Sequence, residues 1–241
     1  MLWKLAEHHL NNGWKGVRRA MEKERHVLVV FPHPDDEAFG VSGTIHKHVL
    51  NGTGVTYACL TLGEMGRNMG TPPFATRESL PFIRKEELKA AAKVMGIQDL
   101  RMLGYRDKTV EFEDDELIAK RIYSIIEEVK PSLIITFYPG YSVHPDHDAT
   151  GRAVVKAVSL IPENERPKLH CIAFSKDCYE KLGEPDIHHD VKDVLDVKIA
   201  TLKSHKSQIQ LVAKEWEERI KNNDPEVIKR FGEEHFWTFQ W

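Results

Sequence analysis

A chain of 241 residues with 41% hydrophobic content is long enough to bury one sizeable core and short enough to be a single domain. Charged residues make up 29% and the formal net charge is −3, with neither a basic stripe for nucleic acid nor an acidic tail. No apolar run approaches the roughly 18 residues that span a bilayer, so neither nucleic acid nor a membrane is an expected partner.

Residues 1–20 carry Lys4, Lys15, Arg18 and Arg19 against Glu7 alone and contain no apolar stretch of the secretory type. They read as an N-terminal extension to a domain over residues 21–241, with Met21 as the expected native start; the alternative is a short amphipathic helix docked on the surface. His26 to Phe31 is a short, valine-rich apolar run, the mark of a buried parallel strand. Glu37 to Leu50 has helical spacing and stops at Asn51-Gly52. Val55 to Leu60 is a second strand, followed by a glycine-rich loop over Leu62 to Gly70. A helix over Arg77 to Met95 stops at Gly96, and Leu100 to Leu103 is a third strand. Asp115 to Val129 is a helix closed by Pro131, and Leu133 to Phe137 the fourth strand. Ala149 to Leu160 is a helix, Leu169 to Phe174 a fifth strand and Ile187 to Val191 a short further one, with helical stretches at Val194 to Leu202 and Ile209 to Lys221. Alternating strands and helices predict an α/β fold, a single Rossmann-like domain with a mostly parallel sheet flanked by helices. Cys59, Cys171 and Cys178 form no C-x-x-C pair and read as reduced, buried thiols of a cytoplasmic protein.

Two motifs carry the chemistry, and each follows a strand. His33-Pro-Asp-Asp-Glu37 leaves the first, and His144-Pro-Asp-His147 lies in the loop after the fourth. In a doubly wound sheet of order 3-2-1-4-5, strands one and four are neighbours and the order reverses between them, where ligands bind at the carboxyl ends. Motifs more than a hundred residues apart would share one crevice. His33, one of Asp35 or Asp36, and one of His144 or His147 supply three nitrogen and oxygen ligands for a metal, leaving a fourth position open. Consecutive side chains of an extended loop point to opposite sides, so only one of Asp35 and Asp36 can join His33 on the metal. The leftover carboxylate and imidazole would stand beside the metal as general base and oxyanion donor, the parts amide hydrolysis needs. A lone loop histidine or a lone aspartate before a helix is more often a solvated residue or an N-cap; two acid-histidine clusters at one end of adjacent strands are not so readily explained.

These residues resemble the LmbE-like, PIG-L-type zinc deacetylases of N-acetylglucosamine-containing substrates. The likeness spans most of residues 25–210 and takes in Thr61-Leu-Gly-Glu-Met-Gly66, Arg84-Lys-Glu-Glu87 and His205-Lys-Ser-Gln208 as well as the two histidine motifs. It implies zinc on His33, Asp36 and His147, with Asp35 as the general base. It implies further that His144 is an imidazolium facing the oxyanion, oriented by Asp146, and that Arg67 contacts the sugar. Val143 stands where many relatives have glycine, and Tyr141 lies one residue from where some have an active-site tyrosine. The stretch Val55 to Pro73 is most similar to deacetylases of bacillithiol biosynthesis, which act on an N-acetylglucosaminyl malate. A malate carboxylate suits a guanidinium fork, and Arg67, Arg77 and Arg106 are the candidates.

Zinc is the expected metal, though iron(II) accepts the same ligand set. The rival readings are a non-haem iron(II) oxygenase with a two-histidine, one-carboxylate triad, a deacetylase of another amino sugar or a chitooligosaccharide, and a non-catalytic sugar binder. A dinucleotide-binding module is excluded because Pro-His-Pro-Asp-Asp replaces the glycine fingerprint after strand one. The expected partner is a small acetylated amino sugar, and a closed homo-oligomer is compatible with the sequence.

Overall fold

The computed structural model describes residues 21–241; the extension expected over residues 1–20 lies outside them. Seven strands form one sheet in the order β3-β2-β1-β4-β5-β7-β6. The first five are β1 (His26–Phe31), β2 (Gly54–Cys59), β3 (Asp99–Met102), β4 (Leu133–Phe137) and β5 (Lys168–Ile172), and all pair in parallel. The remaining two, β6 (Ile187–Asp190) and β7 (Glu233–Thr238), close one edge with antiparallel pairing. The chain is therefore α/β with a mostly parallel sheet, and the order reverses between β1 and β4 as the sequence predicts.

Period-two alternation divides each central strand between two cores. Leu28, Val30 and Ile134 face α4 (Asp115–Val129) and α5 (Pro145–Ser159) through Ile118, Ile122, Ala153 and Val154. Val27, Val29, Phe31 and Ile135 face α2 (Ser42–Leu50) and α3 (Leu80–Met95) through Ile45, Leu88, Ala91 and Met95. Burial on both faces explains why these strands read as unbroken apolar runs. A third cluster joins α7 (Leu195–Ser204), α8 (Lys206–Lys221) and α9 (Pro225–Phe231) through Leu202, Trp216 and Phe231. Cys59, Cys171 and Cys178 are buried free thiols. Among the described residues no helix is long and apolar enough to cross a membrane.

Three differences from the predicted elements have physical causes. The helix expected from Glu37 to Leu50 is two, α1 (Asp36–Gly40) and α2, broken at Val41 with φ −145°. The amides of Gly43 and Thr44, left without partners by that break, donate to the Glu234 carboxylate at 3.0 and 2.7 Å, an anion at a helix N-terminus. Glu234 comes from β7, nearly two hundred residues away, so no local pattern reveals the break. The helix beginning at Pro145, rather than Ala149, is capped by His144 with proline in its first turn. Finally, α6 (Cys178–Leu182), α9 and β7 are short elements with little periodicity to detect.

Candidate active site at the sheet switch point

The loops leaving β1 and β4 meet where the strand order reverses. His33 Nδ1 lies 3.2 Å from His147 Nε2 and 3.5 Å from Asp36 Oδ2, and Asp36 Oδ1 lies 3.2 Å from His147 Nε2. Ligands about 2.0–2.1 Å from a tetrahedral zinc stand roughly 3.3–3.4 Å apart; the three groups lie at about that spacing, with different Asp36 oxygens toward the two rings, and His33, His144 and His147 also offer nitrogens close enough to share one ion. Tautomers agree. His147 Nδ1 faces the Ser142 carbonyl at 3.3 Å and can only donate there, which leaves the Nε2 lone pair toward the cluster. His33 Nε2 faces Asp107 Oδ1 at 3.1 Å and Asp146 Oδ2 at 3.2 Å, which leaves Nδ1 toward it. Outer carboxylates and carbonyls orient metal-binding imidazoles in this way. The donor set, its spacing and its tautomers all fit a divalent metal.

Packing holds the set in place. The His147 ring stacks on Phe137 at 4.0 Å and 7°. A Cβ on Gly151 would lie 2.6 Å from the Phe137 carbonyl oxygen, so α5 approaches the end of β4 this closely only with glycine there. Burial alone would raise the Asp36 pKa, but His147 and His33 hold it well below the ordinary carboxylate range. Burial would lower that of His33, yet hydrogen bonds to Asp107, Asp146 and Asp36 hold it well above the usual histidine value. A metal at this site therefore competes with a proton for Nδ1.

Asp35 and Asp36 separate by a mechanism other than the extended loop expected. Asp35 has φ 102°, a left-handed conformation for a non-glycine residue, and α1 begins at the next residue. Its amide donates to Glu37 Oε2 at 3.0 Å, and its Oδ2 accepts from Arg84 Nη2 at 3.0 Å. Burial pushes its pKa up, Arg84 opposes this, the neighbouring Asp36 adds to it, and the value reaches about 6. A carboxyl group with that pKa can both accept and release a proton near neutrality.

His144 stands half-buried beside the cluster, its ring centroid 4.9 Å from that of His33 and 5.0 Å from that of His147. Its Nδ1 accepts the Asp146 amide proton at 3.1 Å, which requires a lone pair there and puts the ring proton on Nε2. Burial and the neighbouring His33 and His147 lower its pKa. Accepting at Nδ1 leaves His144 Nε2 as the ring atom that can donate. The Asp146 carboxylate, expected against His144, is instead on His33, and Lys108 N donates to it at 2.7 Å.

Arg67 and Arg106 are exposed. The loop bearing Arg67 is tied to the cluster two residues earlier, where Met65 N donates to Asp107 Oδ2 at 2.8 Å. Arg77 binds the carbonyls of Glu64 and Gly66 at 3.2 and 2.7 Å, which shapes the same loop. Tyr141 packs on Tyr138, with centroids 5.5 Å apart. Val143 has φ 52°, a conformation that suits the glycine of many relatives better than a β-branched residue.

Sequence reasoning missed Asp107, Glu37, Tyr57 and His205 as members of this network. Glu37 Oε1 meets His205 Nε2 at 2.6 Å, while its Oε2 accepts from Tyr57 Oη at 3.0 Å as well as from the Asp35 amide. The signal existed for two of them, since Glu37 and His205 sit inside the motifs singled out above.

Residues 28–158 match the family model described as PIG-L: GlcNAc-PI de-N-acetylase. A probable N-acetyl-alpha-D-glucosaminyl L-malate deacetylase 2 of Bacillus cereus is 54% identical over 218 residues, covering 90% of this chain and 99% of the relative. The N,N'-diacetylchitobiose deacetylase of Pyrococcus horikoshii superposes with a TM-score of 0.68 at 24% identity, covering 90% of this chain and 83% of the other. A 4-carboxy-2-hydroxymuconate hydratase of Pseudomonas putida superposes with a TM-score of 0.70 at 18% identity, covering 90% and 97%. At such identities the likeness is one of fold, and a fold hosts more than one chemistry. The chain belongs to the PIG-L family.

Proposed function

We propose that this member of the family is a metal-dependent N-deacetylase, with zinc the preferred metal, that removes acetate from an N-acetylglucosaminyl conjugate, N-acetylglucosaminyl malate above others. The observation that carries the chemistry is the convergence of His33 Nδ1, Asp36 and His147 Nε2 within 3.2–3.5 Å of one another, with Asp35 and His144 beside them. The substrate reading rests on the Bacillus cereus relative, which shares 54% identity over nearly its whole length. The iron(II) oxygenase reading has no comparable support.

His33, Asp36 and His147 would hold the metal. When bound, it supplies a Lewis acid that polarises the acetyl carbonyl and makes water a better nucleophile. Asp35 accepts the proton of the attacking water, and with a pKa near 6 it can return that proton to the departing amine. His144 offers its Nε2 proton to the oxygen on which negative charge develops. Asp107 and Asp146 keep the His33 proton on Nε2. Arg67, exposed on the loop anchored by Met65, is the candidate for the polar end of the substrate, with Arg106 as a second.

The test is to incubate zinc-loaded protein with a panel of N-acetylglucosaminides and quantify released amine. Turnover concentrated on the malate conjugate supports the reading; equal turnover of chitooligosaccharides removes the substrate assignment. Activity that requires molecular oxygen removes the hydrolytic class.

A further inference from the structure

We infer that Arg84 is a positioning residue for the reaction, setting the direction of the Asp35 carboxylate while touching neither metal ligands nor substrate. The inference rests on the reading of Asp35 as the proton acceptor. Arg84 lies on α3, is 3% exposed, and its guanidinium joins two loops of the site. Nη2 donates to Asp35 Oδ2 at 3.0 Å and also to the Pro34 carbonyl, and Nη1 donates to the Gly63 carbonyl at 2.8 Å. A single planar cation thus holds the side chain of Asp35, the peptide before it and the loop after β2.

The surroundings are built to admit that cation. Gly63 has φ 61°, and a Cβ there would fall 1.8 Å from Arg84 Nη1. Glycine is therefore required twice at this position, for the backbone angle and for the space. On the other side, Glu37 fixes the Asp35 amide at 3.0 Å and is itself held by Tyr57 and His205. The left-handed Asp35 is gripped by its backbone through Glu37 and by its carboxylate through Arg84. A lysine at position 84 has one compact ammonium and cannot present a planar fork to three acceptors. Without the fork the carboxylate is free to turn, and displacement of a reacting group by about 1 Å can cost on the order of 10²-fold in rate.

The test is a double-mutant cycle joined to a structure. Arg84→Lys and Arg84→Ala should lower kcat about 10²-fold, with KM and zinc content near the wild-type values. In an Asp35→Asn background, where there is no base to aim, Arg84→Lys should cost less than about threefold, since effects transmitted through one group are not additive. Losses that multiply in the double variant, or that track loss of zinc, overturn the inference. A crystal structure of Arg84→Lys supplies a readout independent of turnover. A displaced Asp35 carboxylate with the Glu37 contact retained supports it, and an unmoved carboxylate refutes it. If the wild-type protein releases no amine from any N-acetylglucosaminide, the deacetylase reading fails, while the crystal structure still decides whether Arg84 sets the Asp35 conformation. Should Arg84→Ala fail to fold, Arg84→Lys carries the cycle.

Discussion

Replacing Asp107 with asparagine changes almost no volume, yet the site cannot satisfy the amide. Asp107 Oδ1 faces the His33 Nε2 proton at 3.1 Å, and Oδ2 accepts the Met65 amide at 2.8 Å. Both neighbours are donors, so a carboxylate serves both and an amide serves only one. If the amide oxygen keeps Met65, its NH₂ meets Nε2–H head on and favours the His33 tautomer with a proton on Nδ1, the metal-facing nitrogen. If the amide oxygen keeps His33, the Met65 amide is left facing a donor and the loop carrying Arg67 loosens. Loss of a buried, charge-assisted hydrogen bond costs about 1.5–3 kcal/mol, which corresponds to roughly 10–100-fold in metal affinity. Asp146 still accepts from His33 Nε2 at 3.2 Å, which places the expected loss nearer tenfold. Zinc affinity measured by competition against a chromophoric chelator reads this directly, with a melt of metal-free protein to show that the fold is intact. An Asp107→Asn variant that binds zinc within about threefold of wild type would refute this account of how His33 is oriented.

Other perturbations separate the remaining roles. Asp36→Asn should lose zinc and turnover together, whereas Asp35→Asn should keep near-wild-type zinc and lose about 10²–10⁴ in rate; metal loss from Asp35→Asn would exchange the two assignments. His144→Ala should retain zinc and lower kcat about 10²–10³-fold, the usual cost of one oxyanion donor, and an unchanged kcat would remove it from the reaction. Arg67→Ala should raise KM with a smaller effect on kcat, and an unaltered KM across the panel would take Arg67 out of the substrate site. Burial holds the pKa of both His48 and His170 down at about 4, so above pH 6.5 they cost nothing, and as the pH falls the unfolded chain takes up their protons first. Between pH 7 and 5 each should remove about 2 kcal/mol of stability, visible as a fall in the urea midpoint that is smaller in a His48→Gln or His170→Gln variant than in wild type, and an equal fall in variant and wild type would show that the ring accepts protons in the folded state.

The central sheet was legible because burial on both faces leaves strands such as Leu133–Phe137 as apolar runs with nothing polar to confuse them. The two histidine motifs were legible for a different reason. Each places several ligand-type residues within five positions directly after a strand, and parallel topology brings the ends of β1 and β4 together whatever the loops do. What was not legible depends on single residues arriving from elsewhere. Glu234 breaks the Glu37–Leu50 helix from β7, and Asp107 reaches His33 from the loop after β3.

The pair Asp35 and Asp36 shows where such reading stops. Alternation along an extended loop predicts that the two carboxylates diverge, and in the structure they diverge by a left-handed turn at Asp35 instead. That conformation is unfavourable for aspartate on its own and persists only when the surroundings over-determine it. Here the surroundings are Glu37 at the amide and Arg84 at the carboxylate, contributed by the start of α1 and by α3. The motif supplies the residues of the site, whereas the direction in which each one acts is set by partners that meet it only in the folded chain. A variant library confined to His33–Glu37 and His144–His147 would therefore leave out Arg84 and Asp107, the side chains that hold the Asp35 carboxylate and His33 Nε2.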